Sequence, residues 1–241
     1  MDGWGIGYEG TDYNELNDQV TPHLRAIDGF KPMQPTLLEA ARAGVTCVCT
    51  GPGSANVIGG TFIAVKTVGH RADDMIVKAD VAMKCAFGEN PKRVYREKGI
   101  SSRMTNAAKL RETLFKAKEY MQKKEAAGDD ASKLPAFDMK LEAMLPVLRR
   151  EIPLKAHAHA PEDLFTAIRV AKEFNVRLTL EHVTEGHLIA DDLAREGLPL
   201  AVGPTLTHAS KFELRNKTWL TPAVLSQAGC QVSIITDAPV I

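Results

Sequence analysis

At 241 residues, with 30 Lys plus Arg against 30 Asp plus Glu, the chain has the length of one α/β barrel-type domain and no net charge, which removes the usual electrostatic argument for nucleic acid. Cys47, Cys49, Cys85 and Cys230 form neither a zinc-finger spacing nor a disulfide framework, so a reducing cytoplasm is expected, with the Cys47-Val48-Cys49 thiols buried in their apolar run. No apolar run approaches the roughly 20 residues of a membrane span, and the first residues carry no signal-peptide pattern.

Residues 1–31 are rich in glycine and acidic side chains and read as a loop. A short helix over 35–43 stops at Gly44. The β-branched run 45–50 predicts a strand, 61–68 a second apolar run, and 75–87 one or two more. Between the first two, Gly51-Pro52-Gly53-Ser54-Ala55-Asn56 with Gly59-Gly60 suggests a phosphate cradle. It lacks both the Gly-Lys-Ser/Thr end of a P-loop and the GxGxxG spacing, so a tight loop above a barrel mouth is the better account. Apolar residues at helical spacing (Ala107, Leu110, Leu114, Ala117, Tyr120, Met121) predict a long surface helix over 103–126, and a second helix is expected over 138–150.

From there strand and helix alternate: strand 152–157, helix 161–174, strand 176–182, helix 186–196, strand 198–203, a longer loop, a helix from Thr221-Pro222 to Gly229, and strand 231–236. Such units imply parallel strands with right-handed crossovers.

Three strand ends carry the chemistry. Leu154 to His159, Leu178 to His182 and Val232 to Asp237 are apolar runs that finish on imidazole or carboxylate. Strand carboxyl ends of an alternating barrel converge on one face, and His, His and Asp delivered there are ligands for a first-row metal. His157 and His159, two apart on a strand, share a face. Glu181 and His182, being adjacent, are expected on opposite faces, with His182 at the mouth and Glu181 toward the helix layer or an ion pair. The loop after strand 198–203 places Thr205, Thr207 and His208 as candidate substrate contacts.

With those strand ends in place the chain resembles the amidohydrolase superfamily, in its imidazolonepropionase-like and metal-dependent peptidase-like branch. Lys155-Ala156-His157-Ala158-His159 is similar to the family's fifth-strand motif, Leu180 to Glu185 to the sixth, and Thr236-Asp237-Ala238-Pro239-Val240 to the eighth. The resemblance implies a TIM-type (β/α)8 barrel spanning 1–241 as one domain. It also implies one or two divalent metals, most often zinc, with manganese or iron as alternatives. His157, His182 and Asp237 would be ligands, and Asp237 the base that takes a proton from the water that attacks the bond. Lys84, in Ala82-Met83-Lys84-Cys85, resembles the strand-four lysine that is carboxylated in two-metal members; an ordinary exposed lysine is the alternative. His159 would contact substrate.

The family's first strand ends in a His-x-His pair that has no counterpart here, and Met1-Asp2-Gly3-Trp4-Gly5 resembles the loop that follows it. The expectation is therefore an incomplete barrel, without the first strand, the last helix and the small β-sandwich. The implied activity is hydrolysis of an amide, cyclic amide or peptide-like C–N bond in a small-molecule substrate, in the cytoplasm, with a homo-oligomer as the alternative to a monomer. The alternatives are a catalytically inactive remnant or binding module, and a deaminase of the same superfamily.

Overall fold

The computed structural model describes residues 12–238. Its centre is one curled seven-stranded sheet in the order β1 (Cys47–Thr50), β2 (Ile58–Lys66), β3 (Ile76–Ala86), β4 (Leu154–Ala158), β5 (Leu178–His182), β6 (Leu200–Val202) and β7 (Val232–Ile234). The sheet is mixed: β1 to β3 run antiparallel, and β3 to β7 are parallel. The alternating rhythm therefore starts only at β3. Short connections precede it, and short connections favour antiparallel neighbours.

Two short helices, α1 (Ala26–Gly29) and α2 (Pro35–Arg42), precede β1, and α3 (Ala72–Met75) leads into β3. The run expected over 75–87 is a single eleven-residue strand, β3 (Ile76–Ala86). Then come α4 (Glu89–Val94), α5 (Arg103–Ala127), α6 (Met139–Leu148), α7 (Pro161–Phe174), α8 (Ala190–Glu196) and α9 (Thr221–Gln227).

Local chemistry sets these boundaries. The Ser102 hydroxyl accepts from the Thr105 N–H at 3.2 Å, and Asp138 accepts from the N–H groups of Lys140 and Leu141, so α5 and α6 start on side-chain caps. Pro161 opens α7 and Asn175, at φ 53°, closes it in the left-handed region. The expected helix 186–196 divides into a 3-10 turn, Gly186–Ile189, followed by α8.

Parity along the parallel strands decides what faces what. Met83, Cys85, Leu154, Ala156, Ala158, Leu178, Leu180, Leu200 and Val202 pack in one cluster with Leu110, Leu114, Leu164, Ile168 and Leu193 from the helices. A smaller cluster of Phe30, Leu37, Ile63, Val65 and Met75 covers the antiparallel part. The opposite parity, Lys84, Lys155, His157 and Glu181, forms the inner face.

Three expectations are corrected here. Cys47 and Cys49 are exposed, at alternate positions of β1, which ends the sheet among the described residues. Gly59 and Gly60 lie inside β2 rather than in the loop before it. At Gly60 (φ 120°) a Cβ would overlap the Leu24 carbonyl, and that close approach accounts for the glycine. Lys84 is not an exposed strand-end lysine but 4% exposed. Among the described residues no helix is long and apolar enough to cross a membrane. The readings placed on residues 1–5, Pro239 and Val240 lie outside the described residues.

Candidate active site

The ends of β4 and β5 bring three imidazoles together. His157 is the penultimate residue of β4, His159 follows the strand, and His182 ends β5. Ring centroids are 4.6 Å apart for His157–His159, 4.4 Å for His157–His182 and 4.8 Å for His159–His182. All three are buried, and one ring nitrogen of each lies within 4.8 Å of the others, a spacing that could hold a metal ion.

His182 gets there by an unusual route. Leu178 and Leu180 face the helices, so strict alternation would send His182 to that side and Glu181 inward. Glu181 does point inward, so of its two expected places it takes the ion pair, with Lys84 and Lys155, and not the helix layer. His182 has φ 70° and Val183 φ 49°, and this left-handed pair ends the strand and turns the imidazole back to the mouth. The His182 Nδ1–H donates to the Gly203 carbonyl at 2.8 Å, which leaves Nε2 bare. Asp237 Oδ2, from the segment after β7, lies 3.9 Å from His182 Nδ1.

Burial, then the neighbouring imidazole of His182, holds His157 and His159 well below the ordinary histidine range. Burial, then Lys84, takes His182 down to about 3. All three are neutral bases at pH 7, the form that binds metal. Burial pushes the Asp237 carboxyl upward against the pull of Lys84, Lys211 and Lys155.

Below the histidines Glu181 accepts from both Lys84 and Lys155, and the Phe62 ring lies 5.5 and 5.0 Å from the two ammonium groups. Desolvation brings each lysine down to about 8. Above them, Asn90 Nδ2 donates to Ser54 Oγ at 2.7 Å and stands 3.3 Å from His157 Nε2, while Lys211 donates to Asn90 Oδ1 at 2.9 Å. The 51–56 loop thus does border the mouth. Thr205 and Thr207 line an open cavity of about 490 Å³ with Leu206, Lys217 and Trp219, and His208 is exposed on the same loop.

Asn90, Lys155, Lys211 and Glu213 were not legible as site residues. Lys155 alone carried a signal, since it shares its parity with His157 and His159.

A curled α/β sheet that delivers buried, neutral imidazoles and a carboxylate to the carboxyl ends of its parallel strands defines a class, that of metal-competent strand-end sites. Comparison with known proteins gives that class a more particular setting. The chain is 30% identical over 207 residues to "Amidohydrolase tasK" of Hapsidospora irregularis, covering 76% of this chain and 21% of that protein. It is 42% identical to the crystal structure of an amidohydrolase from Thermotoga maritima MSB8, with a TM-score of 0.95, covering 100% of this chain and 64% of that one. The chain thus spans less than two thirds of either relative. No family model matches. Both likenesses support an amidohydrolase family.

Proposed function

We propose that this chain carries the metal site of an amidohydrolase that breaks a C–N bond of an amide, cyclic amide or peptide-like small molecule. The carrying observation is the buried cluster His157, His159 and His182, held neutral at the strand ends. The finer assignments are a (β/α)8 barrel of the imidazolonepropionase-like or metal-dependent peptidase-like branch, and zinc as the ion.

The residues present fit such an ion. His157 Nδ1 is buried without a hydrogen-bond partner, and His182 is anchored through Nδ1 on a backbone carbonyl, the outer contact that orients a ligating imidazole. Nitrogen donors with one carboxylate suit Zn²⁺, with Mn²⁺ and Fe²⁺ as neighbours in preference. His157, His182 and Asp237 would hold it. A divalent ion there supplies Lewis acidity and brings water's pKa down to about 7.

The chain's own residues do the rest. Asp237, its carboxyl raised by burial, accepts a proton at Oδ and returns it to the leaving nitrogen. Lys84 and Lys155, paired to Glu181 beneath the histidines, set a positive field that favours the carboxylate form of Asp237 and the neutral form of the imidazoles. Lys84 already has a carboxylate partner, which supports one ion over two bridged by a carboxylated lysine. Thr205 and Thr207 face incoming substrate.

The test is metal analysis of the purified protein together with an amide and dipeptide panel. Bound transition metal and turnover are expected, with His182→Ala losing more than about 100-fold in metal affinity, beyond the 10–100-fold typical of an outer contact. A metal-free, inert protein, or full activity in His182→Ala, overturns the proposal.

A further inference from the structure

A buried carboxylate outside the expected site stands at its edge. Glu213 lies in a single 3-10 turn, Phe212–Leu214, of the loop between β6 and α9, and is fully buried. It laces that loop to the start of α4. The Glu89 N–H donates to Glu213 Oε2 at 2.8 Å, and the Glu213 N–H donates to Glu89 Oε1 at 2.8 Å. Arg103 Nη2 stands 3.6 Å from Oε2 and Lys211 Nζ 2.7 Å from Oε1. Gly88, at φ 78°, makes room, since a Cβ there would overlap Oε2.

The same Oε1 faces His159 Nε2 at 3.9 Å. On the other side of the ring Thr184 Oγ1 lies 2.6 Å from His159 Nδ1. A carboxylate at one nitrogen favours the proton there, and the hydroxyl can then donate to the other nitrogen. With Nε2 protonated and Nδ1 engaged, the ring has no lone pair left for an ion. His182, by contrast, has its Nε2 bare, because its Nδ1–H is taken by the Gly203 carbonyl.

We infer that Glu213 is the positioning residue of His159, fixing its Nε2–H tautomer and keeping it out of the metal's coordination as a wall of the substrate space. The part about the metal rests on the hydrolase reading; the tautomer does not.

Long-range proton–nitrogen NMR of metal-free protein labelled at histidine nitrogen reads the tautomer directly. The wild type should show His159 protonated at Nε2 and bare at Nδ1. Glu213→Gln should mix or reverse this, while Thr184→Val should keep Nε2 protonated. A wild-type His159 protonated at Nδ1 overturns the inference even if the variants fail to fold, as does a spectrum indifferent to Glu213→Gln. In zinc titration Glu213→Gln and His159→Gln should leave the dissociation constant unchanged. A weakening of about 10–100-fold, the mark of losing a ligand's outer partner, overturns the exclusion of His159 from the metal. A wild type that binds no zinc defeats the hydrolase reading and leaves the NMR result standing.

Discussion

His182 shows how one dihedral angle can decide a site. Its φ of 70° lifts the ring out of the strand's alternation and into contact with His157. The motif at the strand end is readable as a string of letters, whereas the reversal of direction depends on backbone geometry, which letters do not carry. Burial gives the same ring an acid liability. Its folded pKa is about 3 against an ordinary 6.5. Between those values the unfolded chain binds a proton that the folded one does not, so stability rises with pH across the window and is lost as pH falls through it. His157 and His159 act in the same sense. Urea unfolding of metal-free protein should give a lower midpoint at pH 5 than at pH 7, with His182 alone contributing up to about 2 kcal/mol. His182→Gln should flatten that dependence; an unchanged slope in the variant would count against the neutral ring.

At the scale of elements, helices were the most legible. Of the expected stripe, Ala107, Leu110, Leu114, Ala117 and Tyr120 are buried on α5 and Met121 is partly exposed at its edge, because a 3.6-residue period on a long helix is a strong pattern. Strands β4 and β5 were legible in existence and in their ends. The antiparallel start was not, because direction in a sheet is set by pairing partners far apart in sequence. The Gly59-Gly60 pair illustrates the difficulty. It has the composition of a loop, yet it sits in β2 at a register shift between Ile58 and Gly60, where the Thr61 N–H reaches the Leu24 carbonyl at 2.9 Å. Gly60→Ala should therefore cost about 1–3 kcal/mol, measured as a lower denaturation midpoint, with the far-UV spectrum retained. Tolerance of alanine there would show that the close approach is relaxed in solution. Glu213 had no sequence signal, since a lone acidic residue in a polar loop gives no hint of full burial.

The whole molecule divides its sheet between two tasks. Along β4, β5 and β6 the helix-covered face is apolar and buried, and Leu180→Ala on it should cost about 2–5 kcal/mol. The inner face instead holds two ammonium groups against the single carboxylate of Glu181. Lys155→Met leaves that carboxylate one matched partner, so the variant should be about 0.5–2 kcal/mol more stable while losing activity. Thermal unfolding of the two variants side by side checks both signs, and a destabilised Lys155→Met would mean that the pairing with Glu181 outweighs its desolvation cost. This division also bears on how such a protein can change over generations. Drift on the inner face can retune chemistry while the helix layer keeps the chain folded, so new substrates are reachable by single steps that a cell would tolerate.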